Sequence, residues 1–187
     1  APLLPPIAGL KDRIDNENHN IYSILGMISH INDFPKDLEG KKVVVVGGGA
    51  VGLDVVEFFA DRNADISIVE MMDQIGRDLD PVSKNDTKTM MKKHNVHQLT
   101  KTALLEVKDS SFLVRGDGEP YELPFEYGFV CLGMRAQGQL YQNLTEEFSS
   151  EDVEIMNIGD SQRARRIIDG TQEGRNILTI LEQKGYF

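Results

Sequence analysis

Runs of apolar residues near the middle of the chain predict a buried strand, an amphipathic helix and a second strand. Residues 43–46 are four consecutive valines, and such a β-branched run is typical of a strand buried on both faces of a parallel sheet. Residues 64–69 form the next apolar run of this kind. Between the two strands, apolar residues recur at helical spacing, at Val51, Val55, Phe58 and Phe59. The order strand, helix, strand predicts a parallel α/β unit.

Later segments extend this sheet and add a second one. We expect residues 96–99 to form the third parallel strand, and residues 127–132 to return to the sheet as a buried strand. Between them, residues 103–107 and 112–114 alternate well enough for strands, joined by a polar turn. The sequence therefore predicts an α/β fold, a Rossmann-like parallel sheet with an inserted β-meander.

Helix signals flank this central unit. The apolar spacing over residues 22–34 predicts a helix with Ser23 as its N-cap and Pro35 as its stop. Asp80 and Pro81 mark the start of another helix, because aspartate is a favoured N-cap and proline suits the first helical position.

The last part of the chain is less regular. Residues 135–150 are polar and show no clear pattern. Residues 153–158 predict a strand, and residues 164–181 predict a helix that is interrupted at Gly170 or Gly174.

A glycine-rich turn follows the first strand and fits the dinucleotide-binding pattern G-x-G-x-x-G. The first glycine allows the tight turn, the second lets a pyrophosphate approach the backbone, and the third lets helix and strand pack closely. The helix N-terminus offers unpaired N–H groups to phosphate. Glu70 ends the second strand at about the 20-residue distance where a carboxylate accepts from the adenosine ribose hydroxyls. A βαβ unit without a ligand is the alternative. The six residues of the turn are Gly47, Gly48, Gly49, Ala50, Val51 and Gly52.

Charge and hydropathy narrow the class of protein. The formal net charge of −10 over 187 residues argues against nucleic acid or an anionic membrane as partner, because both favour a basic face. No apolar run approaches the roughly 20 residues of a membrane span. Residues 1–10 lack the features of a signal peptide, so we expect a cytoplasmic protein.

The cysteine and histidine content indicates neither metal nor thiol chemistry. A single cysteine, Cys131, excludes a disulfide, a C-x-x-C redox pair or an iron–sulfur cluster within this sequence. It lies in the apolar run 127–132, which indicates a buried, inert thiol. The four histidines show no convincing metal-ligand spacing. We therefore expect no metal site, and no catalytic acid–base pair stands out.

Three segments together resemble the two-dinucleotide-binding flavoprotein family, which includes the pyridine nucleotide–disulfide oxidoreductases. VEMMDQIGRDLD, residues 69–80, resembles that family's second strand and the loop after it. The β-meander and YGFVCLG, residues 127–133, resemble the segment that closes its NAD domain. VEIMNIGDSQRARRIIDGTQEG, residues 153–174, resembles its flavin-binding Gly-Asp signature. The form of this last segment is most similar to the enoate reductases and 2,4-dienoyl-CoA reductases of the old-yellow-enzyme kind.

The resemblance implies a set of cofactor-binding residues. NAD(H) would contact the glycine turn, Glu70, Met71 and Gly133, and Asp160 would hydrogen-bond the ribityl chain of a flavin. A turn or helix N-cap role is the alternative for Asp160.

The sequence also departs from the family's pattern. It contains one G-x-G-x-x-G, whereas the family has an earlier one for the FAD adenosine, and it lacks the N-terminal barrel with its iron–sulfur cysteines. We therefore interpret residues 36–149 as an NAD(H)-binding domain between two remnants of an interrupted FAD domain, residues 1–35 and 150–187. FAD would bind only in the full-length parent.

The implied function is that of an NAD(H)-binding domain that positions NADH for hydride transfer to FAD. The parent would be an enoate or 2,4-dienoyl-CoA reductase-like enzyme, and the isolated chain is expected to be inactive. Its partners would be NADH and the missing flavin domains. Loss of those domains would expose apolar residues of the segment 22–34 and of the helix that carries Ile167, Ile168 and Ile177. We expect these two segments to pack on each other, or on a second copy in a homodimer, and so to hide this surface. A domain of an NADH oxidase or disulfide reductase and a non-catalytic NADH-sensing module are the alternatives.

Overall fold

The computed structural model describes residues 2–150 and 153–186. The chain forms two compact units, one of residues 2–133 and one that begins at Met134. Among the described residues, no helix has the length and apolar character needed to cross a lipid bilayer.

A five-stranded parallel sheet lies at the centre of the first unit, in the order β1-β8-β2-β3-β4. Its strands are β1 (Ile21–Tyr22), β2 (Lys42–Val46), β3 (Asp65–Val69), β4 (His97–Leu99) and β8 (Tyr127–Val130). The valines of β2 alternate between two hydrophobic cores, Val43 and Val45 in one and Val44 and Val46 in the other. The strand is thus buried on both faces, as its unbroken apolar run predicted.

An antiparallel sheet covers one face of this unit, and it confirms the predicted β-meander. Its strands, in sheet order, are β5 (Ala103–Val107), β6 (Ser111–Arg115) and β7 (Tyr121–Pro124). Gly128 in β8 makes the packing possible, because a Cβ there would lie 2.7 Å from the rings of both Phe112 and Phe125. These two rings pack with centroids 4.5 Å apart in the core between the sheets. The α/β fold with one parallel and one antiparallel sheet is therefore confirmed.

Four helices belong to the first unit: α1 (Leu10–Arg13), α2 (Ile24–Ser29), α3 (Ala50–Ala60) and α4 (Pro81–Lys93). The predicted start of α4 is confirmed, since the Asp80 carboxylate accepts from the N–H groups of Val82 and Ser83. The predicted N-cap of α2 is also confirmed, since the Ser23 hydroxyl accepts from the Gly26 N–H.

Helix α2 is shorter than the predicted helix over residues 22–34. Tyr22 pairs with Phe129 in the parallel sheet and is not helical. Phe34 is buried and packs edge-on against Phe59, with ring centroids 5.2 Å apart, at the end of a run of turns that follows the helix. The apolar residues at helical spacing thus belong to three different features: one strand, one short helix and one contact in the core.

The second unit contains α5 (Gln139–Glu147), a 3-10 helix (Gly159–Ser161), α6 (Ile167–Arg175) and α7 (Ile177–Gln183). The predicted strand over residues 153–158 is wrong, because within residues 2–150 and 153–186 these residues pair with no strand. The predicted interruption of the last helix occurs at Asn176, whereas Gly170 and Gly174 lie inside α6. Gly170 is needed for close packing, because a Cβ there would lie 3.3 Å from the Gly159 Cα.

Apolar side chains of the second unit lie at the surface of the chain. Among its described residues, 134–150 and 153–186, none is buried. Ile167 is 91% exposed, and in the first unit Leu25 and Ile28 on α2 are 50% and 54% exposed. Apolar residues are thus exposed in both segments, and the packing of these segments on each other or on a second copy in a homodimer stays a prediction.

Candidate functional site

The glycine turn joins β2 to α3, and three of its glycines suit their positions for different geometric reasons. Gly47 has a φ of 110°, and a Cβ there would lie 2.2 Å from the Cys131 carbonyl oxygen. A Cβ at Gly52 would lie 1.8 Å from the Gly47 carbonyl oxygen, so this glycine lets the helix pack onto the turn. At Gly49 a Cβ would meet no atom within 4 Å. This open space beside the backbone is what the approach of a pyrophosphate requires.

The N-terminus of α3 is the second feature of the turn. Gly49 is the N-cap and provides no side chain to accept from the N–H groups of the first helical turn. Ala50 is exposed and Val51 is half-buried, and both line the cavity described below. Helix α3 has eleven residues, so its N-terminus carries the partial positive charge that favours an anion.

The Glu70 carboxylate lies beside this turn at the end of β3. Its Oε2 accepts from the Gly48 N–H at 2.6 Å, and its Oε1 accepts from the Met72 N–H at 2.7 Å. A carboxylate offers about four lone-pair sites, so each oxygen can accept a further hydrogen bond. The half-buried carboxylate is therefore held in place and still able to accept from two hydroxyl groups.

Seven of the ten predicted cofactor-binding residues line one cavity of about 580 Å³ at the C-terminal edge of the parallel sheet. Its volume lies in the range of small-molecule and cofactor sites. Gly48 and Gly52 do not line the cavity and act from behind the turn. The predicted residues that do line it are Gly47, Gly49, Ala50, Val51, Glu70, Met71 and Gly133.

Two further segments complete the walls and were missed from the sequence. Leu3, from the N-terminal segment, lines the cavity and donates its N–H to the Gly133 carbonyl at 2.9 Å. Thr102, just before β5, also lines it and donates its N–H to the Glu70 carbonyl at 3.0 Å. Both hydrogen bonds join residues that are far apart in sequence, so no local hydrophobic pattern predicts them. Their neighbours in the lining are Pro5, Ile7, Ala103 and Leu104.

Cys131 also borders the cavity, and its predicted burial is confirmed. Burial, with a smaller contribution from the Asp54 carboxylate, raises the pKa of the Cys131 thiol to about 12. The thiol is neutral at physiological pH, and because the thiolate is the reactive form, Cys131 is no nucleophile.

Asp160 lies in the second unit, on an exposed turn that is held by its own neighbours. The Asp160 Oδ1 accepts from the Arg165 N–H at 3.1 Å. Glu173 accepts from the Gly159 N–H at 2.6 Å and from the Arg165 guanidinium, and these two hydrogen bonds lower the pKa of the Glu173 carboxyl group. The described residues thus give Asp160 a turn-stabilising role, and its contact with a flavin stays a prediction.

No metal centre is present in the part of the chain that the structure describes. Across residues 2–150 and 153–186, no three or more His, Cys, Asp or Glu side chains are grouped so that they could hold a metal ion.

Known proteins have sequences and folds similar to those of this chain. The family model described as pyridine nucleotide-disulphide oxidoreductase matches residues 1–157. A metal reductase of Desulforamulus reducens is 26% identical over 167 residues, which cover 73% of this chain and 24% of the relative. An NADH oxidase of Thermoanaerobacter brockii is 25% identical over 174 residues, which cover 92% of this chain and 25% of the relative.

A solved structure of 2-naphthoyl-CoA reductase, in complex with 2-naphthoyl-CoA, shares the fold. It has a TM-score of 0.76 and 20% identity, over 93% of this chain and 24% of that chain. The chain thus spans about a quarter of the length of the curated relatives it matches.

Proposed function

The chain belongs to the pyridine nucleotide-disulphide oxidoreductase family, and from this premise we propose that it is the NAD(H)-binding domain of a flavin-dependent oxidoreductase. The family and the relative named NADH oxidase support NAD(H) and FAD as cofactors. One observation in the structure carries the proposal. The open space at Gly49 and the Glu70 carboxylate border the same cavity at the C-terminal edge of a parallel sheet.

The strand order supports an assignment of the two halves of the dinucleotide. The chain runs from β2 to β3 on one side and returns to β8 on the other side of β2, so the switch point of the sheet lies between β2 and β8. Dinucleotides bind at such switch points in open α/β sheets. We assign the adenosine ribose to Glu70 on the β3 side, and the other half to the surroundings of Gly133 at the end of β8.

The residues of this chain act by binding and orientation. NADH supplies a hydride when it is bound, and that chemistry belongs to the cofactor. The helix N-terminus at Ala50 neutralises phosphate charge, and Glu70 fixes the ribose. Cys131 stays neutral and apolar at the edge of the cavity.

The parent enzyme is proposed to resemble an enoate or 2,4-dienoyl-CoA reductase, with NADH as the electron donor. The form of residues 153–174 supports this choice. An NADH oxidase is the second candidate, because a relative of that name matches 92% of the chain.

The proposal is tested by titrating the chain with NADH and with NADPH by calorimetry. We expect tighter binding of NADH, because Glu70 would repel a 2′-phosphate. Glu70→Ala should weaken NADH binding by about 1–3 kcal/mol, the effect of losing a charged hydrogen-bond acceptor.

Glu126→Ala is the matched control for this substitution. The Glu126 carboxylate also accepts from a backbone N–H, that of Lys42 at 2.7 Å, but it does not line the cavity. We expect this variant to bind NADH as the wild type does. Tighter binding of NADPH than of NADH by the wild-type chain would contradict the proposal.

A further inference from the structure

The loop between β3 and α4 is tied to the glycine turn through one residue, Gly48. The Gly48 N–H donates to the Glu70 Oε2 at 2.6 Å. The Gly48 carbonyl accepts from the Gly76 N–H at 2.7 Å. Both polar backbone groups of Gly48 are therefore hydrogen-bonded. Its N–H binds the Glu70 carboxylate, and its carbonyl binds the loop.

Close packing reinforces these two hydrogen bonds. A Cβ at Gly48 would lie 3.0 Å from the Glu70 Oε2 and 3.1 Å from the Ile75 Cγ1. Ile75 and Gly76 are buried, so this part of the loop packs against the glycine turn. Gly76 has a φ of 66°, a conformation that side chains other than glycine rarely adopt.

We propose that Gly76 is a specificity-determining position of the nucleotide site, acting through Gly48 on Glu70. The Gly76 N–H holds the Gly48 carbonyl and so fixes the position of Gly48, and the Gly48 N–H in turn holds the Glu70 carboxylate at the edge of the cavity. A carboxylate fixed there accepts from the ribose hydroxyls without a loss of side-chain freedom, and it opposes a 2′-phosphate. The inference rests on the proposed function, because it concerns how that site distinguishes NADH from NADPH.

Without the Gly76 bond, Gly48 is free to shift and Glu70 loses one of its two backbone partners. The carboxylate is then held only by the Met72 N–H, and its effect on both nucleotides becomes weaker. The quantity that reports this effect is the ratio of NADH affinity to NADPH affinity. General destabilisation of the fold lowers both affinities together and leaves the ratio unchanged.

The experiment uses the full 187-residue chain and measures both affinities by calorimetry for three proteins. They are the wild type, Gly76→Ala and the matched control Gly40→Ala. Gly40 has a φ of 73° and open space around its Cβ position, so alanine there brings the same backbone strain. It does not line the cavity. We expect the ratio to fall about tenfold in Gly76→Ala, the effect of one lost charge-assisted hydrogen bond, and to stay unchanged in Gly40→Ala.

Ile75→Ala is the second variant, and it decides the question if Gly76→Ala does not fold. It removes the Ile75 Cγ1, the atom that lies beside Gly48, and keeps the backbone, so we expect a smaller fall of about threefold in the same ratio. A folded Gly76→Ala or Ile75→Ala protein with the wild-type ratio would overturn the inference alone. A wild-type chain that binds neither nucleotide would overturn the proposed function and the inference with it. A wild-type chain that binds both equally would overturn the inference and the role of Glu70.

Discussion

At the scale of single residues, we expect a substitution at Gly49 to affect nucleotide binding but not folding. Gly49→Val should abolish nucleotide binding and leave the fold intact, because its side chain would fill the open space proposed for the pyrophosphate. The backbone of Gly49 has a φ of −80° and a ψ of −179°, which valine adopts without strain. Calorimetry with NADH and a thermal melt are the two measurements.

Gly118→Val is the matched control for this prediction. Gly118 also has open space around its Cβ position, and it lies in the meander away from the cavity. This variant should bind NADH normally. Normal binding by Gly49→Val would show that the phosphate site is misplaced.

Cys131 leads to a prediction about alkaline stability. Its pKa is raised from 9.0 to about 12, so the folded state keeps its proton in a range where the unfolded state loses it. The contribution of Cys131 to the free energy of unfolding is therefore constant below pH 9 and falls as the pH rises from 9 towards 12. Urea unfolding at pH 8 and pH 10 should show a larger loss of stability for the wild type than for Cys131→Ala. Equal losses would contradict the burial of a titrating thiol.

Some site residues could be predicted because they occupy fixed positions along one βαβ unit. The spacing of Gly47, Gly52 and Glu70 identified all three. Leu3 and Thr102 reach the same cavity through hydrogen bonds to Gly133 and Glu70, which are far away in sequence. Such contacts leave no local pattern, so the sequence could not indicate them.

At the scale of elements, the start of α4 depends on one side chain. Asp80→Ala should destabilise the protein by about 1 kcal/mol, because the N–H groups of Val82 and Ser83 would lose their acceptor. Asp86→Ala, at an exposed position in the same helix, is the control and should have a smaller effect. Thermal or urea unfolding measures the difference, and equal effects of the two substitutions would contradict the capping role.

Strands and helices differ in how well their apolar patterns predicted them. The valine run of β2 gave the right element because it is buried on both sides. Residues 153–158 are also apolar in part, but a strand needs a neighbouring strand, and in the described part of the chain none pairs with them. The segment 22–34 was misjudged because Tyr22 gains more from the sheet and the core than from a helical turn.

At the scale of the whole molecule, we expect the 187-residue chain to purify without bound flavin. A flavin site needs an adenosine-binding βαβ unit as well as a ribityl contact, and the single glycine motif of this sequence is assigned to NAD(H). Asp160, the predicted ribityl contact, lies on an exposed turn and does not make a flavin site by itself. The absorption spectrum is the measurement, and flavin bands near ~450 nm would contradict the prediction.

A longer protein is the control for this spectrum. If a βαβ unit that binds the flavin adenosine is joined upstream, the longer protein should bind flavin and be yellow, and Asp160→Ala in that protein should weaken flavin retention. Unchanged retention would leave Asp160 with its turn-stabilising role alone.

The position of the cavity along the chain has a consequence for inheritance. All the residues that line it fall between Leu3 and Gly133, within the first compact unit. One continuous segment of the sequence therefore carries this described lining. Recombination at the downstream boundary of that segment can replace everything that follows and still transmit these residues together, so that selection can alter the rest of the protein without rebuilding the cavity.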